Sequence, residues 1–418
     1  MRVCFLVPEL RPSGGIAVAL EHARRLGDHA IEAEVLVAGD PRAREGEWDV
    51  AIATFWTTWL ELHELRSRRR AIFLQSVEAR FYRDTEPFDR LGADAALAQD
   101  AGYFVVAGWM RDLLAALRPG VPVWHIPNGI DKARFSGGDG PRREGPLRVL
   151  VEGQPSLWFK GVPEAAAAVR AMERPAELTV VALDPAHARE LGADRVVGGL
   201  DAEGMAALYR ETDVLLKLSR VEGLPLPPLE AFHCGVPCIV TPFTGHEDYV
   251  AHGANGAVVG FDDPGAATGW LDRLASDREL LARLSTGARA TAERWPDQAA
   301  TTGQLAAALR ELADGPAPAA GPAMARSLRR TIETGRERLR QLESDLGTVT
   351  EDRDRRVEEL AALWEKADAQ NDHIAELERS RLHVNELLLQ REAELEELRN
   401  SRAYRASVAA RNLVKRGK

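Results

Sequence analysis

Two carboxylates and one lysine carry the chemical interest of this sequence. Glu222 and Glu230 are separated by seven residues, Gly223-Leu224-Pro225-Leu226-Pro227-Pro228-Leu229, and follow an apolar run that ends near Leu218. A strand, then a glycine-containing loop, then a helix opened by proline turns backbone amides and a helix N-terminus toward an anion. Proline suits the first helical position because the N–H it lacks would have been unpaired there. A second loop of this kind, Pro12-Ser13-Gly14-Gly15, lies between the first apolar run and an amphipathic segment. Its glycines let the backbone approach a phosphate closely. Taken singly, each feature also has a plain reading: Gly14-Gly15 as a tight turn, Glu230 as a carboxylate favoured at a helix start, Glu222 as a surface acid, Lys160 as a solvated lysine.

Several other phosphate and metal signatures are missing. There is no Walker A loop, no G-x-G-x-x-G after a strand and no H-E-x-x-H. The only D-x-D is Asp352-Arg353-Asp354, in a stretch that reads as coiled coil. Phosphates would therefore be held by backbone amides, helix dipoles and basic side chains, and neither a metal nor a cofactor is expected. Cys234 and Cys238 flank Gly235-Val236-Pro237 without partner ligands nearby, and read as small buried hydrophobes. His125 and His233 read as core or structural residues.

The elements that must position these residues alternate. Arg2–Val7, Ala33–Ala38, Asp49–Thr54, Ala71–Gln75, Phe104–Ala107 and Val123–Ile126 read as strands, with helices such as Ile16–Leu26 and Trp109–Leu117 between them. Apolar character on both faces predicts a parallel sheet sandwiched by helices. After the Gly-rich stretch 136–145 the alternation resumes at Leu147–Val151, Leu178–Leu183, Val214–Leu218 and Pro237–Val240, with helices near Val162–Met172, Ala202–Arg210 and Pro227–Gly235. Two such α/β domains, 1–135 and 136–313, create a cleft at the carboxyl ends of both sheets. The last helix of the second domain is expected to pack back on the first.

Residues 314–322 form a Pro/Ala/Gly linker. From 323 to 400 the core positions of one register, alternately three and four residues apart, include Leu339, Leu342, Leu346, Val349, Leu360, Leu363, Ala367, Ile374, Leu377, Val384, Leu388, Leu395 and Leu398, and 13 of the 18 are apolar. That spacing predicts a coiled coil, a rod of about 90 Å. Residues 401–418 carry six basic side chains, no acid, and interspersed Tyr404, Val408, Leu413 and Val414. Such an end can meet anionic lipid headgroups, or it is a soluble tail.

Composition narrows the classes. The chain has 418 residues, 54 Lys+Arg against 64 Asp+Glu, a net charge of −10 and 45% hydrophobic residues. An acidic chain is ill suited to wrapping nucleic acid, and no run is apolar for the length of a membrane span. Three cysteines, and an N-terminus without a small-residue cleavage site, predict a reducing cytoplasmic location, peripheral at the inner membrane face if the basic end docks there.

Together with Ala231-Phe232-His233-Cys234-Gly235-Val236-Pro237, the Glu222–Glu230 segment resembles the E-x7-E region of retaining glycosyltransferases of family 4, which have the GT-B fold. Further segments are similar to that family's signposts and come in the same order: Gly14-Gly15, Ile126-Pro127-Asn128-Gly129-Ile130-Asp131, Lys160-Gly161, Leu208-Tyr209 with Asp213-Val214, Ser219, and Gly253-Ala254-Asn255-Gly256. The resemblance covers residues 1 to about 312. It implies an α/β fold of two Rossmann-like doubly wound domains, the first on the acceptor side and the second binding nucleotide sugar, here followed by a long helical coiled coil.

The resemblance also implies roles. Glu230 would bind the two ribose hydroxyls and Glu222 the donor sugar, placing its anomeric carbon. Backbone amides at Gly223, Leu224, Pro225 and Leu226, with Gly14 and Gly15, would hold the diphosphate. Lys160 would neutralise charge on the departing nucleotide diphosphate, and that phosphate would act as base in a front-face attack that needs no protein nucleophile. Two departures stand out. Gly153-Gln154 replaces the usual Gly-Arg, which loses one cation unless Arg220 or Lys217 substitutes. Phe73-Leu74-Gln75-Ser76-Val77-Glu78 stands where a His-x-His element is usual, similar to the segment of some rhamnosyltransferase-like members, and makes Gln75, Ser76 and Glu78 acceptor-side candidates.

The expected function is metal-independent transfer of a sugar from a nucleotide diphosphate sugar to a glycan or lipid-linked acceptor in surface polysaccharide or glycoconjugate biosynthesis. The coiled coil would set a homo-oligomer or dock a partner enzyme. Two other readings compete: a non-catalytic scaffold with a degenerate transferase domain, and another GT-B activity such as an epimerase or a phosphorylase.

Overall fold

A computed structural model describes residues 1–11, 14–138, 140–141, 144–315, 322–368 and 374–400. The basic end at 401–418 therefore lies outside the described residues. Met1–Arg336 form one compact unit and Glu337–Lys418 a second.

The first unit holds two sheets of six parallel strands. In the N-terminal lobe these are β1 (Arg2–Val7), β2 (Glu32–Val37), β3 (Glu47–Ala53), β4 (Arg66–Leu74), β5 (Gly102–Val105) and β6 (Val123–His125), in the order β2-β1-β3-β4-β5-β6. The second lobe has β7 (Leu147–Glu152), β8 (Ala176–Ala182), β9 (Arg195–Gly198), β10 (Val214–Lys217), β11 (Cys238–Val240) and β12 (Gly256–Val258), in the order β12-β11-β10-β7-β8-β9. Val3 to Val7 and Val214 to Leu216 are fully buried, as strands covered on both faces by helices must be. β9 and the helices Trp56–Leu62 and Pro87–Ala96 have no counterpart in the sequence reading. Arg-Val-Val-Gly is too short, and too polar at its ends, to stand out as a strand.

Three helices, Pro264–Ser276, Arg278–Arg294 and Gln298–Asp314, close the second lobe, each capped by an aspartate (Asp263, Asp277, Asp297) whose side chain accepts an N-terminal amide. The last of them does pack on the first lobe. His22 Nδ1 lies 2.9 Å from Thr302 Oγ1, and Trp124 Nε1 donates to Glu311 at 2.8 Å. Of the two histidines read as core or structural, His125 is instead exposed on the edge strand β6. His233 hydrogen-bonds Leu229 O at 2.8 Å within its own helix.

The boundary after the second lobe moves. The helix Pro322–Asp368 begins at the linker, but its first turns belong to the first unit rather than to the second. Ile332 is 1% exposed, Leu328 packs on the same core, and Gly335 sits against Phe88. Arg329 pairs with Glu64 at 2.6 Å and Arg336 with Asp89 at 3.4 Å. Leu328 and Ile332 lie one turn apart and so share a face, and that face meets the N-terminal lobe.

In the second unit the helix continues to Asp368 and another spans Ile374–Asn400. Leu342, Leu346, Val349, Leu360, Leu388 and Leu395, all predicted seam positions, are exposed in the single chain. Seam positions 363–381 and 398 fall outside the described side chains. The Asp352-Arg353-Asp354 element lies on this helix, with Asp352 paired to Arg355 and Arg356.

Candidate active site

In doubly wound sheets, ligands bind where the strand order reverses, at the carboxyl ends of the strands. Those points fall between β1 and β3 in the first sheet and between β7 and β10 in the second. One cavity of about 500 Å³ lies between them. It is lined from the end of β1 (Pro8, Glu9), the next helix start (Gly14, Gly15, Ile16), β3 (Thr54, Phe55), β4 (Gln75, Ser76), β7 (Glu152) and β10 (Lys217), and by Glu78, Phe81, Asn128, Lys160 and Glu222 to Pro227. Every predicted site residue except Glu230 therefore faces one space.

Glycines fix the two walls. Gly161 adopts a left-handed φ of +62°, and a Cβ there would lie 2.0 Å from Leu218 O. Only glycine lets the chain turn at this point and carry Lys160 into the cavity. Across the cleft, a Cβ on Gly223 would lie 1.8 Å from Gln75 O, so the lobes touch backbone to backbone. Trp109 Nε1 donates to Gly223 O at 3.1 Å, Asn128 Nδ2 to Leu224 O at 3.1 Å and Trp158 Nε1 to Phe81 O at 3.0 Å. Phe81 and Phe159 stack at 4.8 Å.

The charged centre is a chain of four side chains. Lys160 Nζ donates to Glu222 Oε1 at 2.9 Å and Oε2 at 3.2 Å. Lys217 Nζ lies 3.2 Å from Glu222 Oε1 and donates to Glu152 Oε2 at 2.7 Å. Burial opposes the charge on Glu222, but Lys160 and Lys217 outweigh it and bring its pKa down to about 2. Burial likewise opposes the charge on Lys217, and Glu152 and Glu222 outweigh it, so its pKa is raised. Both groups are ionised at neutral pH.

Glu152 was not singled out from the sequence, and Lys217 only as a substitute cation. They sit at the ends of neighbouring strands, one step past the Leu216–Val151 pair of the parallel ladder, so a register between distant segments brings them together. Of the two substitutes considered, Lys217 is in the cavity. Arg220 is not: it pairs outside with Asp262 at 3.0 Å. Gln154 also turns away, its Oε1 accepting from Asp184 N at 3.0 Å.

One expectation needs correction. Between 223 and 228 the chain offers amide N–H groups only at Gly223, Leu224 and Leu226, because Pro225, Pro227 and Pro228 have none. The helix Leu226–His233 thus presents fewer donors than a tip without prolines.

Glu230 lines an adjoining hollow of about 190 Å³ with Glu21, His22, Asp131, Arg134 and Gln298, and Leu226 borders both spaces. Tyr209 donates to Glu230 Oε2 at 3.2 Å. Burial lifts the Glu230 pKa to about 7 against the lowering effect of Tyr209.

Gln75, Ser76 and Glu78 form one polar wall of the first lobe, and Glu9 of the same lobe also lines the space. Gln75 Nε2 donates to Gly15 O at 3.2 Å. Buried Glu78 accepts from Trp56 N at 2.6 Å, and burial pushes its pKa up to about 8, so it carries a proton at neutral pH. Ser76 Oγ and Asn128 Oδ1 are buried on this cavity without a hydrogen-bond partner. Buried polar atoms are seldom left so, and a hydroxyl-bearing ligand would satisfy both. Among the described residues no group of three or more His, Cys, Asp or Glu is arranged to hold a metal ion.

Comparison with known proteins bears on the fold and on the second lobe. Residues 184–291 match the family model "Glycosyl transferases group 1". The chain is 29% identical over 253 residues to the O-antigen biosynthesis protein RfbC of Myxococcus xanthus, covering 57% of this chain and 19% of that protein. It is 33% identical over 150 residues to a D-inositol 3-phosphate glycosyltransferase of Xylanimonas cellulosilytica, covering 32% and 36%. The chain thus spans about a fifth and about a third of these two proteins. Among solved structures, the sucrose-phosphate synthase of Thermosynechococcus elongatus superposes with a TM-score of 0.63 at 16% identity, over 74% of this chain and 98% of that one. Anabaena Alr3699/HepE, in complex with UDP and glucose, gives 0.60 at 16% identity over 75% and 100%. The fold is GT-B, and residues 184–291 of the second lobe are similar to the glycosyl transferases group 1 model.

Proposed function

We propose that this protein transfers a sugar from a nucleotide diphosphate sugar to a hydroxyl of a glycan or lipid-linked acceptor in polysaccharide or glycoconjugate biosynthesis, with retention of configuration. The observation that carries this reading is the shared cavity, where Lys160 and Glu222 from the second lobe face Gly14-Gly15 and the Gln75–Glu78 wall of the first. The nucleoside would lie toward Glu230, the diphosphate between the two helix starts, and the donor sugar beside Glu222. Lys160 would take up the charge that develops on the departing diphosphate. Ser76, Glu78 and Gln75 would orient the acceptor hydroxyl, with protonated Glu78 able to donate as well as accept. The protein's own cations serve the diphosphate in this scheme, without a metal. The exposed seam of the second unit would pair with another copy or with a partner enzyme, and the basic end would favour an inner membrane face.

No helix among the described residues is long and apolar enough to cross a membrane. The test is a panel of nucleotide diphosphate sugars assayed for release of nucleotide with and without acceptor. A transferase hydrolyses its donor slowly alone and turns over faster with acceptor. No binding or turnover of any donor would leave the scaffold reading, and turnover to an isomer without acceptor would mean an epimerase.

A further inference from the structure

The cavity must balance charge, and its cations are few. A diphosphate brings about two negative charges, three prolines strip amides from the loop that would receive it, and Gln154 and Arg220 are engaged elsewhere. Lys160 and Lys217 are the basic side chains lining the space, and Lys217 is 1% exposed. Taking an ammonium out of water at the end of a strand is unfavourable, and a well-packed apolar pair would serve the sheet as well as Lys217 and Glu152 do. Buried Lys217 and half-buried Glu152 open onto the cavity instead.

We propose that Lys217, aimed by Glu152, is the second cation of the diphosphate site, and that Glu222 occupies both ammonium groups until a nucleoside diphosphate displaces it. This rests on the transferase reading above. Glu222 Oε1 already lies within 3.2 Å of both lysine Nζ atoms, where a phosphate oxygen would be held. An ammonium has three N–H donors, and Glu152 takes one of those on Lys217 at 2.7 Å. Lys217 therefore stays anchored while its Glu222 contact is exchanged for phosphate. The released Glu222 is then free to accept from donor-sugar hydroxyls, so arrival of the diphosphate and grip on the sugar become one event. Glu152 acts through Lys217 and is a positioning residue.

The experiment is calorimetry on the full chain. A panel of UDP, GDP, dTDP and ADP identifies the preferred diphosphate, which is then compared with its own nucleoside. The double variant Glu152→Gln/Lys217→Met removes the pair together and leaves no buried charge unpaired, and thermal unfolding verifies its fold. The diphosphate is expected to bind the double variant at least tenfold more weakly, with a shallower salt dependence, while the nucleoside binds as to the parent. Glu222→Gln, which cannot compete as an anion, is expected to bind the diphosphate more tightly. Diphosphate affinity in the double variant within twofold of the parent, or equal losses for diphosphate and nucleoside, overturns the assignment of Lys217 alone. A parent protein that binds none of the four overturns the transferase reading and this inference with it.

Discussion

Lys160 Nζ grips both oxygens of Glu222, at 2.9 and 3.2 Å, inside the cleft between the two lobes. One residue comes from the turn after β7 and the other from the turn after β10, and Gly161 makes the first turn possible. The pair brings a cation and a carboxylate to the same point, and in the proposed function these would serve the leaving group and the donor sugar. Each holds the other in place when no donor is bound.

Lobe contact at Gly223 should matter more for turnover than for folding. In Gly223→Ala the new methyl would overlap Gln75 O across the cleft, a clash relieved by opening the lobes rather than by repacking either core. We expect kcat/KM to fall on the order of 100-fold, the usual cost of misplacing reacting groups by about 1 Å, with a thermal midpoint close to the parent's. Near-parental kcat/KM would show that the lobes need not close this far.

Glu78 gives stability a pH dependence of defined sign. Its folded pKa is about 8 against an ordinary value of 4.5. Between those values the folded chain keeps a proton that the unfolded chain has released, so stability falls as pH rises through that window. Glu78→Gln keeps an oxygen for the Trp56 amide and cannot ionise. Its thermal midpoint should exceed the parent's at pH 8.5, with the gap closing toward pH 4.5. A gap independent of pH would place the carboxylate in contact with water or with a cation.

The position of the boundary between the two units can be read by truncation. Ending the chain after Arg336 should leave the first unit with nearly its full thermal stability. Ending it at residue 321 removes Ile332 and uncovers Phe88; losing one such buried side chain is worth about 1.5 to 3 kcal/mol, and the midpoint should drop clearly. Equal midpoints for the two truncations would show that the first turns of the helix add nothing to the lobe.

Much of this architecture was legible in the residues. Strands buried on both faces betray themselves as apolar runs, and the E-x7-E spacing with its glycine and prolines marked the loop that faces the cleft. What escaped was whatever depends on contacts between distant segments. Glu152 drew no attention and Lys217 entered only as a substitute cation, and only the parallel register of β7 and β10, 65 residues apart in sequence, brings the two side by side. Asn128 marked the crossover between lobes, yet its unpartnered Oδ1 on the cavity follows from packing alone. Composition set the rod's start at the Pro/Ala/Gly linker because the face carrying Leu328 and Ile332 finds its partners far back in the first lobe.

The central claim, that Lys160 stabilises a departing diphosphate in this cleft, is tested most directly by the turnover number of Lys160→Ala at saturating donor. Loss of one preorganised group facing developing charge lowers kcat by about 100- to 1000-fold, and that is the result predicted here. A variant that turns over donor at the parent's rate, with unchanged affinity for it, would contradict the account.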